Sequence, residues 1–329
     1  MNVHLCQCSA GRSGLWPWLA RMLRCLTLGC LIGWCGCGDK SGGAGGSLAT
    51  ARQGFATRLV RQDRAGEPVP PPPPKLFTVV KYSSPLGEMS AYLTPSPADG
   101  KRHPAIIWIF GGFGNSIDGA AWEKFPPSND QSASAFREAG MVMMYPSLRG
   151  GNQNPGVMEG FYGEVDDVLA AARFLAEQDY VDPRRIYLGG HSTGGTLALL
   201  VAEVTNHFRA VFAFGPVENV RGYGAENLPF DIASAKEVAL RSPLKWLKGV
   251  EGPTFVFEGA DGRSNIDSLR RLSRATRNPA IRFHAVKGGD HFSILAPVSR
   301  LIATKILRDE GTNCAISFTD GELASCVNR

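Results

Sequence analysis

Between Cys37 and Cys314 the chain has no cysteine: six of its eight lie between Cys6 and Cys37, and only Cys314 and Cys326 come later. The body therefore lacks any Cys/His cluster with zinc spacing, and no acidic loop has the spacing of a calcium site. No metal or cofactor is implied. An excess of one charge is also missing from the body. Residues 1–75 carry nine Lys/Arg and three Asp/Glu, leaving 26 and 27 of the chain's 35 and 30 for the other 254 residues. The net charge of +5 belongs to the N-terminal segment, and the body offers no basic face to nucleic acid. The apolar run Cys25–Cys37 is 13 residues long, short of the ~20 needed to span a bilayer as a helix. No internal repeat is visible, so a solenoid or propeller is excluded.

What the N-terminal segment does contain resembles an address. Arg12, Arg21 and Arg24 precede the apolar run, in the order of a signal peptide, and Met22 offers an alternative start. Gly36-Cys37 ahead of a polar spacer resembles a bacterial lipoprotein cleavage site, which makes Cys37 the lipidation candidate; Cys30 and Cys35 stand nearby. Residues 1–40 read as an export segment. Residues 41–74, with their glycines and with Pro68 and Pro70–Pro74, read as a flexible tether. The expected location is the periplasm or cell envelope, with membrane attachment through an N-terminal lipid or signal anchor. An oxidising compartment makes Cys314 and Cys326 a candidate disulfide, closing a tail over residues 312–329.

From Lys75 the pattern changes. Leu76–Tyr82 and Met89–Leu93 flank a turn and suggest an antiparallel pair. Continuous apolar runs follow at Ala105–Phe110, Met141–Tyr145, Ile186–Leu188, Ala210–Phe214, Thr254–Phe257 and Ile281–Val286. Strands apolar on both sides belong to a parallel sheet covered by helices. Glu164–Gln178, Thr196–Val204, Ile266–Thr276 and Pro297–Arg308 supply helices. Residues 75–311 are expected to form one α/β domain, mostly parallel and doubly wound, with helices on both faces.

Gly190-His191-Ser192-Thr193-Gly194 lies between a buried strand and a helix, the setting in which G-x-S-x-G lifts a serine hydroxyl out of a sheet. The Thr193 amide, at the helix start, faces a developing oxyanion. Of six histidines, His291 alone sits in a glycine-rich loop after the last strand, at the same sheet edge as Ser192. Asp261, in the loop after the preceding strand, is the expected third member, with Asp267 and Glu258 as alternates; Asp290 is expected to point elsewhere. The order Ser192, Asp261, His291 is that of α/β-hydrolases. In these roles Ser192 attacks a carbonyl, His291 shuttles the proton and Asp261 orients the imidazole. Backbone amides of Gly112 and Phe113, in the loop after the Ala105–Phe110 strand, are the other oxyanion candidates.

Taken together, Phe110-Gly111-Gly112-Phe113, Arg149-Gly150-Gly151, Gly163-Glu164-Val165-Asp166-Asp167, the serine motif, Gly259-Ala260-Asp261 and His291-Phe292 resemble the catalytic domain of the prolyl oligopeptidase family, within the α/β-hydrolase superfamily. The resemblance runs from Phe77 to Arg308 and implies a serine peptidase acting on small peptides. It departs in three places. Phe110 replaces a tyrosine whose hydroxyl serves the oxyanion, so backbone amides must take that role. Thr193 replaces a frequent aromatic residue, and the family's propeller has no counterpart here. The resemblance makes Arg149 and Asp167 scaffold partners. A carboxylesterase acting on small esters shares every catalytic residue. A binding protein that kept the fold and lost the chemistry is the reading from another class.

Overall fold

The computed structural model describes residues 46–327. Residues 1–40, read from the sequence as an export segment, and Cys37 within them lie outside the described residues. Eight strands form one sheet: β1 (Thr78–Ser84), β2 (Gly87–Leu93), β3 (His103–Ile109), β4 (Val142–Pro146), β5 (Val181–His191), β6 (Val211–Phe214), β7 (Thr254–Gly259) and β8 (Ile281–Val286). Their order is β1-β2-β4-β3-β5-β6-β7-β8. β2 pairs antiparallel with β1 and β4, and every other pairing is parallel. The α/β-hydrolase arrangement expected from the sequence is the one observed.

β4 through β7 are buried at every position except the first half of β5, which accounts for their uninterrupted apolar runs. Two cores lie on opposite faces of the sheet. One gathers Val165 and Val168 of α3 (Glu164–Ala176), Leu197 and Leu200 of α4 (Thr193–Ala202) and Leu269 of α6 (Ile266–Ala275). The other gathers Phe136 of α2 (Ala135–Glu138), Ile302 and Ile306 of α7 (Leu295–Arg308) and Leu323 of α8 (Asp320–Val327). Acidic Glu164, Asp166 and Asp167 open α3, where the helix dipole favours them. No helix among the described residues is long and apolar enough to cross a membrane.

Two expectations are corrected. Residues 46–74 are not a loose tether but a strap on the domain. Ser47 caps α1 (Leu48–Arg52), Leu48 is fully buried, and Arg52 pairs with Asp166 at 2.7 Å. Further on, Val60 N–H donates to Pro229 O at 2.7 Å, Ala65 N–H to Gly150 O at 2.7 Å, and the Tyr92 hydroxyl to Pro70 O at 2.7 Å. Polyproline leaves its carbonyls free, so Pro70 O can accept from Tyr92 without this stretch joining the sheet. The second correction concerns Cys314, which carries a thiol and no disulfide; Cys326 Sγ donates to Leu323 O at 3.1 Å within α8. The tail is held by helix packing instead, with Leu323 buried against the second core.

Candidate active site

The chain winds from β3 outward to β4, then returns past β3 to β5. Loops leaving β3 and β5 therefore diverge and open a crevice at the carboxyl edge of the sheet. Ser192 stands in that crevice, at the junction of β5 and α4, with φ 57° and ψ −114°. This is a strained conformation for a residue with a Cβ, and surrounding contacts hold it. Ser192 N–H donates to Phe214 O at 2.8 Å, and Ser192 O accepts from Thr196 N–H at 2.9 Å. Three glycines allow the close packing. A Cβ on Gly190 would lie 2.4 Å from Gly194 O, one on Gly194 2.3 Å from Ile109 O, and one on Gly195 2.2 Å from Phe214 O.

His291 follows β8, is nearly buried, and shares a cleft wall with Ser192, Gly112, Phe113 and Thr193. Its Nδ1 lies 3.0 Å from Glu258 Oε2. Asp261, the expected third member, is not at this position. It sits in the exposed turn after β7, where its Oδ2 accepts from Gly288 N–H at 2.6 Å. It clamps the loop that carries His291 and does not touch the imidazole. Glu258 prevails because it is still within the strand: fully buried, it projects from β7 toward the neighbouring loop. Its other oxygen accepts from Gly259 N–H at 2.8 Å. Gly215, with φ +60°, leaves room for the pair, since a Cβ there would lie 2.4 Å from the His291 ring and 2.9 Å from Glu258 Oε2.

The alternates resolve in the same way. Asp267 pairs with Arg270 at 3.1 Å on the outer face of α6. Asp290 accepts from the Phe292 and Ser293 amides at 3.1 and 2.8 Å, away from the imidazole. His191 packs sideways: Nε2 lies 3.0 Å from His291 O and Nδ1 3.1 Å from Gln131 Oε1. Burial, then the neighbouring His291, push its pKa down to about 3, so it is a neutral brace at working pH.

On the other wall, Gly112 (φ +100°) and Phe113 follow β3. Thr193 Oγ1 donates to Gly112 O at 2.5 Å and so fastens this loop to the serine turn. As the first residue of the ten-residue α4, Thr193 has an amide without an intrahelical acceptor, at the positive end of the helix dipole. Phe110 stacks on Tyr145 at 4.9 Å and contributes no polar group. Phe113 and Tyr223 line the cleft, their rings edge to face at 5.5 Å. Phe230 and Trp246 are not among the lining residues of this cleft. Phe230 is buried under Arg241, and Trp246 Nε1–H donates to Ala239 O at 2.7 Å. Arg149 and Asp167 are scaffold: Arg149 Nε and Nη2 each donate to Asp167 at 2.9 Å, and Nη1 to Glu159 at 2.6 Å.

Beside the serine turn lies a cavity of about 250 Å³, walled by Gly112, Phe113, Thr193, Phe161 and Leu197, with Arg61 and Asp63 of the strap also in its lining. Sequence reading missed the strap's contribution. Its anchors, the buried Leu48 and scattered polar groups, follow no period that would reveal them.

The prolyl oligopeptidase family model matches residues 127–239. That range includes Ser192 and stops short of Glu258 and His291. An uncharacterised peptidase of Bacillus subtilis, YuxL, is 26% identical over 152 residues, covering 40% of this chain and 23% of that protein. The acylamino-acid-releasing enzyme of Rattus norvegicus is 25% identical over 217 residues, covering 58% and 28%. Among solved structures, dipeptidyl peptidase 4 of Porphyromonas gingivalis has a TM-score of 0.55 at 19% identity, covering 70% of this chain and 35% of that one. The last likeness speaks to the fold alone. The chain spans less than a third of the length of these two curated relatives.

Proposed function

We propose that this chain, similar through residues 127–239 to the prolyl oligopeptidase family, is a serine peptidase that cleaves small peptides through an acyl-enzyme. The observation that carries the reading is the His291–Glu258 pair at 3.0 Å, in one cleft with a serine held in a strained turn. With Nδ1–H donated to Glu258, His291 is left with Nε2 as a base for the Ser192 hydroxyl. Ser192 Oγ adds to the scissile carbonyl, and the carbonyl oxygen becomes an oxyanion facing the Thr193 amide and the Gly112–Phe113 loop. Collapse of the tetrahedral species breaks the bond to the leaving amine, which takes the proton from His291. Water, deprotonated by the same imidazole, then releases the acid and restores Ser192.

The test compares a matched amide and ester of one blocked Ala-Pro acyl group, using the chain with Ser192 intact and with Ser192→Ala. Both substrates should be cleaved, with a loss of about 10⁴-fold or more in the variant. Cleavage of the ester alone would assign a carboxylesterase. A fluorophosphonate that fails to label Ser192 would overturn the enzymatic reading in favour of a binding protein. We also propose that residues 1–40 direct export and that the mature chain begins at a lipidated Cys37. Mass spectrometry of the membrane fraction should show that N-terminus; an unmodified Met1 or Met22 would refute it.

A further inference from the structure

The cavity beside the serine turn contains a carboxylate that the catalytic reading does not use. Glu164, at the start of α3, is one of its lining residues and is nearly fully buried. Its Oε1 is saturated, accepting from Glu159 N–H at 2.7 Å, Gly160 N–H at 3.1 Å and Asn115 Nδ2 at 3.2 Å. Its Oε2 is buried and has no hydrogen-bond partner among the described residues. An unpaired buried carboxylate oxygen is costly, which makes it a natural place for a donor from a ligand.

The local charge balance indicates what kind of donor. Arg149 is a cation whose charge acts on Glu164, but Asp167 and Glu159 already hold it at 2.9 and 2.6 Å. The cavity's own charged residues are Arg61, Asp63 and Glu164, and Arg61 is paired with Asp63 at 2.5 Å. Glu164 is left as the cavity's acidic group with no cation in an ion pair with it. Burial raises the pKa of this carboxyl against the pull of Arg149, so a second positive charge would stabilise its ionised form. Phe110, Leu148, Met158, Phe161, Leu197 and Leu228 supply apolar wall, and the uncharged polar residues Asn115, Ser116, Thr193 and Asn227 complete the lining. About 250 Å³ is below the ~300–1,000 Å³ of pockets that take whole drug-sized ligands, and suits one side chain.

The cavity also has a direction. Gly112, Phe113 and Thr193 line both it and the catalytic cleft, whereas His291 lines only the cleft. The leaving group must face His291, which protonates it. The acyl group, whose oxygen meets the Thr193 side, is therefore the part that borders the cavity.

Resting on the hydrolase reading above, we infer that the cavity selects an acyl group bearing a lysine-like side chain: an aliphatic stem against the apolar walls and an ammonium on Glu164 Oε2. Glu164 would then be a specificity-determining residue, not a catalytic one.

The test uses the full chain and three blocked aminoacyl aryl esters that differ only in side chain: lysine, norleucine and glutamate. The lysine ester should have a kcat/KM tenfold or more above the norleucine ester, and the glutamate ester should fall below both. In Glu164→Gln, which keeps an oxygen for the three Oε1 contacts, the lysine-to-norleucine ratio should drop tenfold or more. A ratio near one in the unaltered chain, or a preference that survives the substitution, overturns the inference. Binding of n-butylammonium against n-butanol to the Ser192→Ala chain, followed by calorimetry, needs no turnover. Tighter binding of the ammonium supports the inference even if no ester is hydrolysed, a result that would overturn only the catalytic reading. Equal binding overturns the inference whatever the catalysis.

Discussion

Glu258→Gln is expected to lower kcat about 10⁴-fold, the loss typical when the acid of such a triad becomes its amide, whereas Asp261→Asn should retain activity within about tenfold. The difference follows from what each carboxylate holds. Glu258 Oε2 accepts from His291 Nδ1 at 3.0 Å and thereby fixes the tautomer whose Nε2 can take the serine proton. An amide at this site can turn its NH₂ toward Nδ1, moving the ring proton to Nε2 and leaving Ser192 without a base. Asp261 accepts from the Gly288 amide at 2.6 Å, so its loss loosens one turn of the His291 loop without changing the imidazole's proton. Single-turnover kinetics and the rate of fluorophosphonate labelling measure both effects. If Asp261→Asn collapsed and Glu258→Gln did not, the acid of this site would be the aspartate that the loop position suggested.

This reversal marks the boundary of what the sequence discloses. Ser192 and His291 were legible because their positions are fixed by period and punctuation: an apolar strand, a glycine-framed turn, then a helix or loop. The fold was legible for the same reason, since strands buried on both faces write their pattern without interruption. The acid was not, because loop position alone does not distinguish Asp261 from a glutamate three residues earlier whose longer arm reaches the same imidazole. One signal was available. Glu258 follows Thr254-Phe255-Val256-Phe257 within a strand, and a carboxylate buried within such a strand requires a partner. The strap escaped detection for the opposite reason: its glycines, prolines and scattered charges have the composition of a linker, and its docking depends on tertiary contacts.

Removal of the strap, by starting the chain at Pro68, should lower Tm by about 10–20 °C and raise KM more than it lowers kcat. Leu48 is fully buried, and exposing such a side chain forfeits about 1.5–3 kcal/mol. Glu237 and Arg241, both buried, lose Thr57 Oγ1 at 3.0 and 2.6 Å, and Glu237 also loses the Arg58 amide at 2.6 Å. Their mutual pair remains, so the loss is that of incompletely satisfied buried polar groups, about 1–3 kcal/mol each. Together these give roughly 5 kcal/mol, and a domain of this size shifts by about 2–4 °C per kcal/mol. Catalysis itself should be spared, because Ser192, Glu258 and His291 are placed by β5, β7 and β8 and touch no strap residue in their hydrogen bonds. Binding should not be spared. Arg61 and Asp63 line the cavity, and Met158, another of its walls, donates its amide to Asp63 O at 2.8 Å. Thermal unfolding and steady-state kinetics on the shortened chain separate the two effects. A Tm within 2–3 °C of the full chain with KM unchanged would return the segment to a simple tether; a rise in KM with kcat nearly constant would make it part of the substrate site.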